Sequence, residues 1–467
     1  MEVKVMKIKS KRISKVTVFI CVILWLMALH PWGMSAEDKE ITIAAVGDCL
    51  IFNKVSFYKD PEFLQLVEIL RQADCTYGNC ETTFFKPEDG FPAYKDFDPN
   101  VFCYPWGADE IKWFGIDLMS VANNHIMDFD YDGMFSTFAH LDRVGIVCAG
   151  AGKDLQQASR PGYFETDKGP VSLVSCSSWI PEKNHQASLS SDYMRGKPGL
   201  NPLNVDWMVQ LDEEKFDRLK KIRDDIGKDL GFTPPKEEEG KEITELDLAG
   251  KKFIKGNKVD ILISANKNDE ERIRESIKIA KRNSRLVIVA QHEHIGTRKA
   301  EGEGPTKFQE DFARSCIDAG ADMYVGTGAH QLWGIEIYKG KPIFYCLGNF
   351  FFQSPIRIFS PEAYQRVGLP LDTKDPTLYE EKFDQYFTEV PVWDSVVPVV
   401  TFDGQDKVNE IKLYPVYLLG DKRIYLRGTP RLAQPEKAKA IIDQLDKLSK
   451  PYNTTITFKK GVGNIVL

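Results

Sequence analysis

Residues 120–133, SVANNHIMDFDYDG, mark a change of rhythm in the chain. The residues leading into it, Asp117-Leu118-Met119-Ser120-Val121, form a short apolar run that predicts the end of a buried strand. From about Tyr131 the apolar spacing becomes helical. Between the two lies a polar turn carrying Asn123, Asn124, His125 and Asp128. Imidazole, amide and carboxylate groups gathered where a buried strand ends are a common way to build a metal or catalytic site. Asn123 is expected to hold the turn by bonding backbone.

The arrangement recurs at four other places. The β-branched run 41–46 ends in Gly47-Asp48, and 74–77 ends in Gly78-Asn79-Cys80-Glu81. The very apolar run 286–290 ends in Gln291-His292-Glu293-His294, and 322–325 ends in Gly326-Thr327-Gly328-Ala329-His330. Amphipathic helical patterns separate them at 61–71, 106–113, 131–144, 153–158, 269–282 and 306–319. Strands alternating with helices predict an α/β sheet with helices on its faces. In such a sheet the carboxyl ends of the strands meet at one edge, where ligands bind.

Five tips would then bring Asp48, Asn79, Glu81, Asn124, His125, Asp128, His292, His294 and His330 to one place. His292 and His294 are two apart, so an extended segment points both to one face. Mixed oxygen and nitrogen donors suit a divalent Zn, Mn or Fe rather than Ca or Mg. His140 and His185 are expected to be hydrogen-bonded structural residues.

The rest of the chain frames these tips. Residues 162–166 and 171–177 predict a hairpin pair, as do 334–338 and 342–346 around the turn Lys339-Gly340-Lys341. The latter run leads into Leu347-Gly348-Asn349-Phe350. Residues 181–263 break the rhythm with a charged helix at 213–228 and an acidic run at 236–242, and are expected to form a surface insertion. It divides a catalytic domain into parts at 37–180 and 264–352. A C-terminal extension, 353–467, would complete the fold with antiparallel strands at 394–402 and 408–417 and a helix at 434–449.

With 467 residues, 43% of them hydrophobic, the chain can hold one large catalytic domain with additions, or two domains. The net charge is −7, and no basic stripe with interleaved aromatics occurs, which argues against a nucleic-acid partner. Residues 1–36 combine a basic start, an apolar segment at 16–29 and Gly33-Met34-Ser35-Ala36. That is the layout of a secretory signal peptide, or of an N-terminal membrane anchor, and places the bulk of the chain in the periplasmic or extracytoplasmic space. Of nine cysteines, Cys21 falls in that segment. Most of the others sit in apolar runs as small hydrophobes, and Cys75, Cys80 and Cys103 are the best disulfide candidates.

Taken together, VGD at 46–48, GNCE at 78–81, ANNHIMDFDYDG at 122–133, His292, DAGADMYVGTGAH at 318–330 and GIEIYKGKPIFYCLGNF at 334–350 resemble the bacterial capsule synthesis family CapA/PgsA, which is associated with poly-γ-glutamate. That family looks like a branch of the calcineurin-like metallophosphoesterases. The resemblance spans about residues 41–352. It implies an α/β (α+β sandwich) fold of four layers, two facing β-sheets flanked by helices, with the strand tips as the site. It also implies Asp48, Asn124, His125 and His330 as metal ligands and His292, Glu81 and Asp128 as catalytic groups. Asn79, His294, Thr327 and Asn349 are possible additions. Two positions depart from the family pattern: Thr327 stands where a histidine is common, and His292-Glu293-His294 replaces a usual HWG.

The resemblance implies a metal-dependent hydrolase or amide transferase acting at the cell envelope, with an anionic polymer or small envelope substrate and other membrane subunits of capsule synthesis as partners. A metallophosphoesterase on an envelope precursor and a non-catalytic assembly or export subunit are the alternatives. An acidic chain facing an acidic polymer needs local positive charge, from the metal or from Lys95, Arg298 and Lys299.

Overall fold

The structure, a computed structural model, describes residues 39–93, 99–180, 182–231, 243–295, 304–353, 391–423 and 425–467, with scattered positions between 357 and 374. The signal-like segment with Cys21, the acidic run at 236–242, Lys95, Arg298 and Lys299 lie outside the described residues.

The elements that build the site run in chain order as β1 (Ile41–Leu50), α1 (Pro61–Gln72), β2 (Cys75–Asn79), α2 (Trp106–Phe114), β3 (Leu118–Ser120), α3 (Asp130–Arg143), β4 (Val147–Ala149), β5 (Gly162–Phe164) and β6 (Val171–Ser177). After an intervening segment come α4 (Lys267–Asn283), β7 (Leu286–His292), α5 (Lys307–Asp318), β8 (Met323–Thr327), β9 (Ile335–Tyr338), β10 (Lys341–Phe344) and β11 (Asn349–Phe352). The C-terminal part adds β12 (Asp394–Phe402), β13 (Val408–Tyr417), β14 (Arg431–Leu432), α6 (Pro435–Ser449), β15 (Ile456–Lys459) and β16 (Val462–Ile465).

Two sheets face each other. The first has the order β15-β16-β13-β12-β1-β2-β3-β4, with β11 also on β1 and β14 on β13. The second has the order β9-β10-β8-β7-β6-β5. In the first sheet β11, β1, β2, β3 and β4 are parallel; in the second, β6, β7, β8 and β10 are.

Side-chain alternation builds the layers. Ile41, Ile43 and Ala45 of β1 share a buried cluster with Leu173 of β6, Leu286, Ile288 and Ala290 of β7, and Met323 and Val325 of β8. The opposite face of β1, at Ala44 and Val46, packs on Phe63, Leu66 and Leu70 of α1 and Ile111 and Phe114 of α2. The opposite face of β7, at Val287 and Val289, packs on Ile273 and Ile277 of α4 and Phe312 and Cys316 of α5. The result is the expected α/β sandwich of four layers, two facing sheets flanked by helices. Helix α6 joins the inter-sheet core through Ile441, Ile442 and Leu445.

Two expectations need correction. Strand β1 does not stop at Gly47-Asp48. Its pairing with β12 ends at Ala44, and pairing with β11 begins at Asp48, so hydrogen bonding carries it on to Leu50. The register slips around Asp48 on both sides of the strand. Gly47 makes this crossing possible: a Cβ there would lie 1.8 Å from the Gly348 carbonyl oxygen, which accepts the Asp48 N–H at 3.1 Å.

The second correction concerns the cysteines. Cys75, Cys80 and Cys103 are free and buried, as are Cys49, Cys176, Cys316 and Cys346; Cys148 is free and half-buried. They pack as small hydrophobes in the clusters beneath the sheets.

Between β6 and α4, the chain forms a separate four-stranded sheet from Val205–Leu211, Glu245–Leu248, Lys251–Lys255 and Asp260–Ala265, with the helix Glu213–Leu230 beside it.

Candidate metal centre

Asn79, the last residue of β2, is the hub of the site. Its Nδ2 donates to Asp48 Oδ1 at 2.8 Å. Its Oδ1 accepts from Ser120 Oγ at 2.8 Å and from Asn123 Nδ2 at 3.2 Å. One buried amide thus ties the tips of β1, β2 and β3 together. Asn123 also holds the turn: its Oδ1 accepts the His125 and Ile126 N–H groups at 3.0 and 3.1 Å.

The second sheet supplies the imidazoles. His292 closes β7, with Cα register to Thr327 on one side and Ser177 on the other. Its Nε2 lies 2.9 Å from Asn124 Oδ1, 2.9 Å from His294 Nε2 and 3.5 Å from Glu81 Oε1. Its Nδ1 lies 3.1 Å from Thr327 Oγ1. His294 Nε2 is 3.9 Å from Glu81 Oε1. His330 approaches from the loop after β8, its Nε2 3.8 Å from Glu81 Oε1 and its Nδ1 3.5 Å from Asp48 Oδ2. Asp48 Oδ2 also accepts the Gly328 N–H at 3.0 Å.

Glu81 is therefore the meeting point. One of its oxygens faces three imidazole Nε2 atoms, and the residue is fully buried, as is Asp48. Burial by itself would raise the Asp48 carboxyl. The hydrogen bond and charge of His330, the charge of His292 and the Asn79 amide outweigh it and hold the group below its ordinary value.

The geometry suits a cation. Two donor groups, Glu81–His292–His294 and Asp48–Glu81–His330, each place one ligand atom per residue within 4.8 Å of the others, and they share Glu81. Ligands at about 2.0–2.1 Å on a tetrahedral metal stand about 3.3 Å apart, close to the 2.9–3.9 Å separations within the first group. Two buried carboxylates need opposite charge nearby to offset their desolvation, and a shared divalent ion would supply it.

Asp48, Asn79, Glu81, Asn124, His292, His294, Thr327, His330 and Asn349 all meet here. His125 and Asp128 form a pair one step away: His125 Nδ1 lies 2.8 Å from Asp128 Oδ2, which also accepts the Val101 N–H. Among the described residues, neither donor group includes His125. Asn349 stands behind His330, its Oδ1 2.9 Å from Nδ1. Sequence reasoning missed the rim. Trp179 is 37% exposed with its ring 5.6 Å from that of His294, and the Phe352 ring is 5.5 Å from His330. The usable signal for Trp179 was its place just past β6, whose Ser177 is in register with His292.

Fold and site together define a four-layer α/β sandwich with a carboxylate–imidazole centre at its strand tips. The model of the family "Bacterial capsule synthesis protein PGA_cap" matches residues 42–354, and the chain belongs to that family. "Uncharacterized protein y4sH" of Sinorhizobium fredii is 33% identical over 439 residues, covering 91% of this chain and 93% of its own. "Capsule biosynthesis protein CapA" of Bacillus anthracis is 40% identical over 326 residues, 68% of this chain and 61% of its own. "PGA biosynthesis protein CapA" of Bacillus subtilis is 24% identical over 365 residues, 75% of each chain.

Proposed function

We propose that this protein is a metal-dependent hydrolase or amide transferase of capsule polymer synthesis, acting outside the cytoplasm on a poly-γ-glutamate-like chain. The observation that carries the reading is the convergence of three imidazole Nε2 atoms on one buried oxygen of Glu81. The words "Capsule biosynthesis" and "PGA biosynthesis" in the relatives' names support the polymer context. The signal-like start of the chain supplies the compartment.

Asp48, Glu81, His292, His294 and His330 would hold a divalent Zn, Mn or Fe, with Asn124 beside His292. Such an ion supplies Lewis acidity toward a carbonyl oxygen and a lowered pKa for water. The residues around it do the rest. Asn79 and Gly328 fix the Asp48 carboxylate. Asp128 holds His125 Nδ1, which leaves Nε2 to carry a proton to the departing nitrogen. Trp179 gives the rim an apolar wall.

Metal analysis of the purified protein tests this, together with turnover. The expected result is bound metal, lost in Glu81→Gln, and release of glutamate oligomers from the polymer. A folded protein that takes up no Zn, Mn or Fe overturns the reading. Hydrolysis of an aryl phosphate without action on the polymer would turn it to a phosphoesterase with the same donors.

A further inference from the structure

The tautomer of His292 decides whether its Nε2 can act as a ligand. A neutral imidazole carries one proton, and a ligating nitrogen must be the one without it. Near Nδ1, among the described residues, stand Thr327 Oγ1 at 3.1 Å, Asn79 Nδ2 at 3.3 Å and Asp48 Oδ1 at 4.0 Å. The Asn79 amide has a defined orientation, since its Oδ1 accepts from Ser120 Oγ and Asn123 Nδ2. Its Nδ2 is therefore a donor: it offers nothing to an Nδ1 proton, and as a donor to an unprotonated Nδ1 it favours the proton on Nε2. Asp48 Oδ1 is beyond hydrogen-bond distance. Of these three, the Thr327 oxygen is the acceptor within reach.

At the other nitrogen, Asn124 Oδ1 lies 2.9 Å from Nε2 and favours the opposite tautomer, with the proton on Nε2. Asn79 and Asn124 thus favour a proton on Nε2, whereas ligation through Nε2 would require it on Nδ1, where the Thr327 oxygen can accept it. Thr327 is buried on β8, in register with His292 on β7, so the neighbouring strand holds its hydroxyl in place.

We propose that Thr327 is a positioning residue: its hydroxyl accepts the Nδ1 proton that His292 must carry to ligate through Nε2, and so favours the form whose Nε2 lone pair faces Glu81 and His294. The inference rests on the metal-binding reading above. Thr327 acts through His292 and does not itself bind the ion.

The test is Zn²⁺ affinity of the full chain, measured by competition with a chromophoric chelator, for the parent, Thr327→Val and Thr327→Ser. Valine keeps the shape and removes the acceptor; serine keeps the acceptor. Thr327→Val is expected to bind Zn²⁺ about 10–100-fold more weakly, the usual effect of losing a hydrogen bond behind a ligand, and Thr327→Ser to bind like the parent. Equal affinity in Thr327→Val, or a loss in Thr327→Ser matching that in valine, overturns the inference. A parent that binds no Zn²⁺ sinks the metal reading itself, a separate outcome. Should Thr327→Val not fold, the ¹⁵N shifts of His292 in the Zn²⁺-loaded parent decide. A proton on Nδ1 supports the assignment, and a proton on Nε2 refutes it.

Discussion

Asn349 grips His330 at two points. Its Oδ1 lies 2.9 Å from the ring Nδ1, and its Nδ2 donates to the carbonyl oxygen of His330 itself at 3.3 Å. The same Nδ2 donates to Val392 O at 3.0 Å, which anchors the amide to the chain entering β12. His330 has φ 57°, in the left-handed region that disfavours residues with a Cβ. Such strain persists where surrounding contacts over-determine the geometry. Asn349→Ala should cost about 1–3 kcal/mol in urea unfolding, because buried partners are left unpaired. It should also weaken Zn²⁺ binding about 10–100-fold. Unchanged affinity would mean that the backbone alone holds His330.

Gly47 sets the position of Asp48 from the other side. The atom that a Cβ would strike, Gly348 O, is backbone and cannot swing away. Gly47→Ala should therefore destabilise the protein by at least about 3 kcal/mol in chemical denaturation. Gly145→Ala is the matched control. Its φ is 73° but nothing lies within 4 Å of the added Cβ, so only the backbone strain of about 1–2 kcal/mol is expected. Equal losses in the two variants would show that close approach at Gly47 is not what matters.

The legible parts of the fold were those with a strong period or a sharp boundary. Leu286–His292 is buried throughout and ends in charged and polar groups, so its place and its tip could both be read. Asp394–Phe402 was recognisable by its mostly buried, valine-rich run, and Val408–Tyr417 by its alternation of buried and half-exposed positions. Asn349–Phe352 was not, because a four-residue run, NFFF, is too short to show a period or a boundary of its own. The hairpin of Ile456–Lys459 and Val462–Ile465 went unread although Lys460-Gly461, both at positive φ, form its turn. In the sheet between β6 and α4, Val205–Leu211 and Asp260–Ala265 are mostly half-exposed, which blurs the two-residue period. At the site, residue types at strand ends were visible in sequence, but partners were not. That Thr327 meets His292, or Asn349 meets His330, follows from which strands lie side by side.

Asp74 ties the two sheets at the end opposite the site. Its Oδ2 accepts from Thr42 N at 2.7 Å, Thr42 Oγ1 at 2.8 Å and Lys168 Nζ at 2.8 Å. Burial would raise the carboxyl, but Lys168 and the Thr42 bonds prevail and hold it below its ordinary value. A depressed folded value stabilises the protein above the unfolded pKa, about 3.9, and that stability is lost as pH falls through the folded one. Asp74→Asn should cost about 1–2 kcal/mol at pH 7, and the gap to the parent should close below about pH 4. Added salt should narrow it at neutral pH, since Lys168 is partly exposed. A gap that persists undiminished at pH 3 would mean that the charge of Asp74 contributes nothing.

The cysteines give a prediction in which the proposed compartment and the structure pull apart. An exported chain meets oxidants, and its thiols would ordinarily pair. Here the eight cysteines from Cys49 to Cys346 are free, and all but half-exposed Cys148 are buried. Burial raises every one of these thiols, Cys80, Cys148 and Cys346 to about 12. The thiolate is the reactive form, so at pH 8 a thiol of pKa about 12 reacts about three orders of magnitude more slowly than an exposed one near 8.5. Among these eight, Ellman's reagent should therefore find almost no thiol in the folded protein and all of them after unfolding in denaturant, with Cys21 as a ninth wherever the N-terminal segment is retained. The intact mass of protein purified without reductant should match the fully reduced chain. A mass lower by about two daltons, with Cys75, Cys80 or Cys103 in a cross-linked peptide, would restore the disulfide and show that the thiols pair before the sheets close over them.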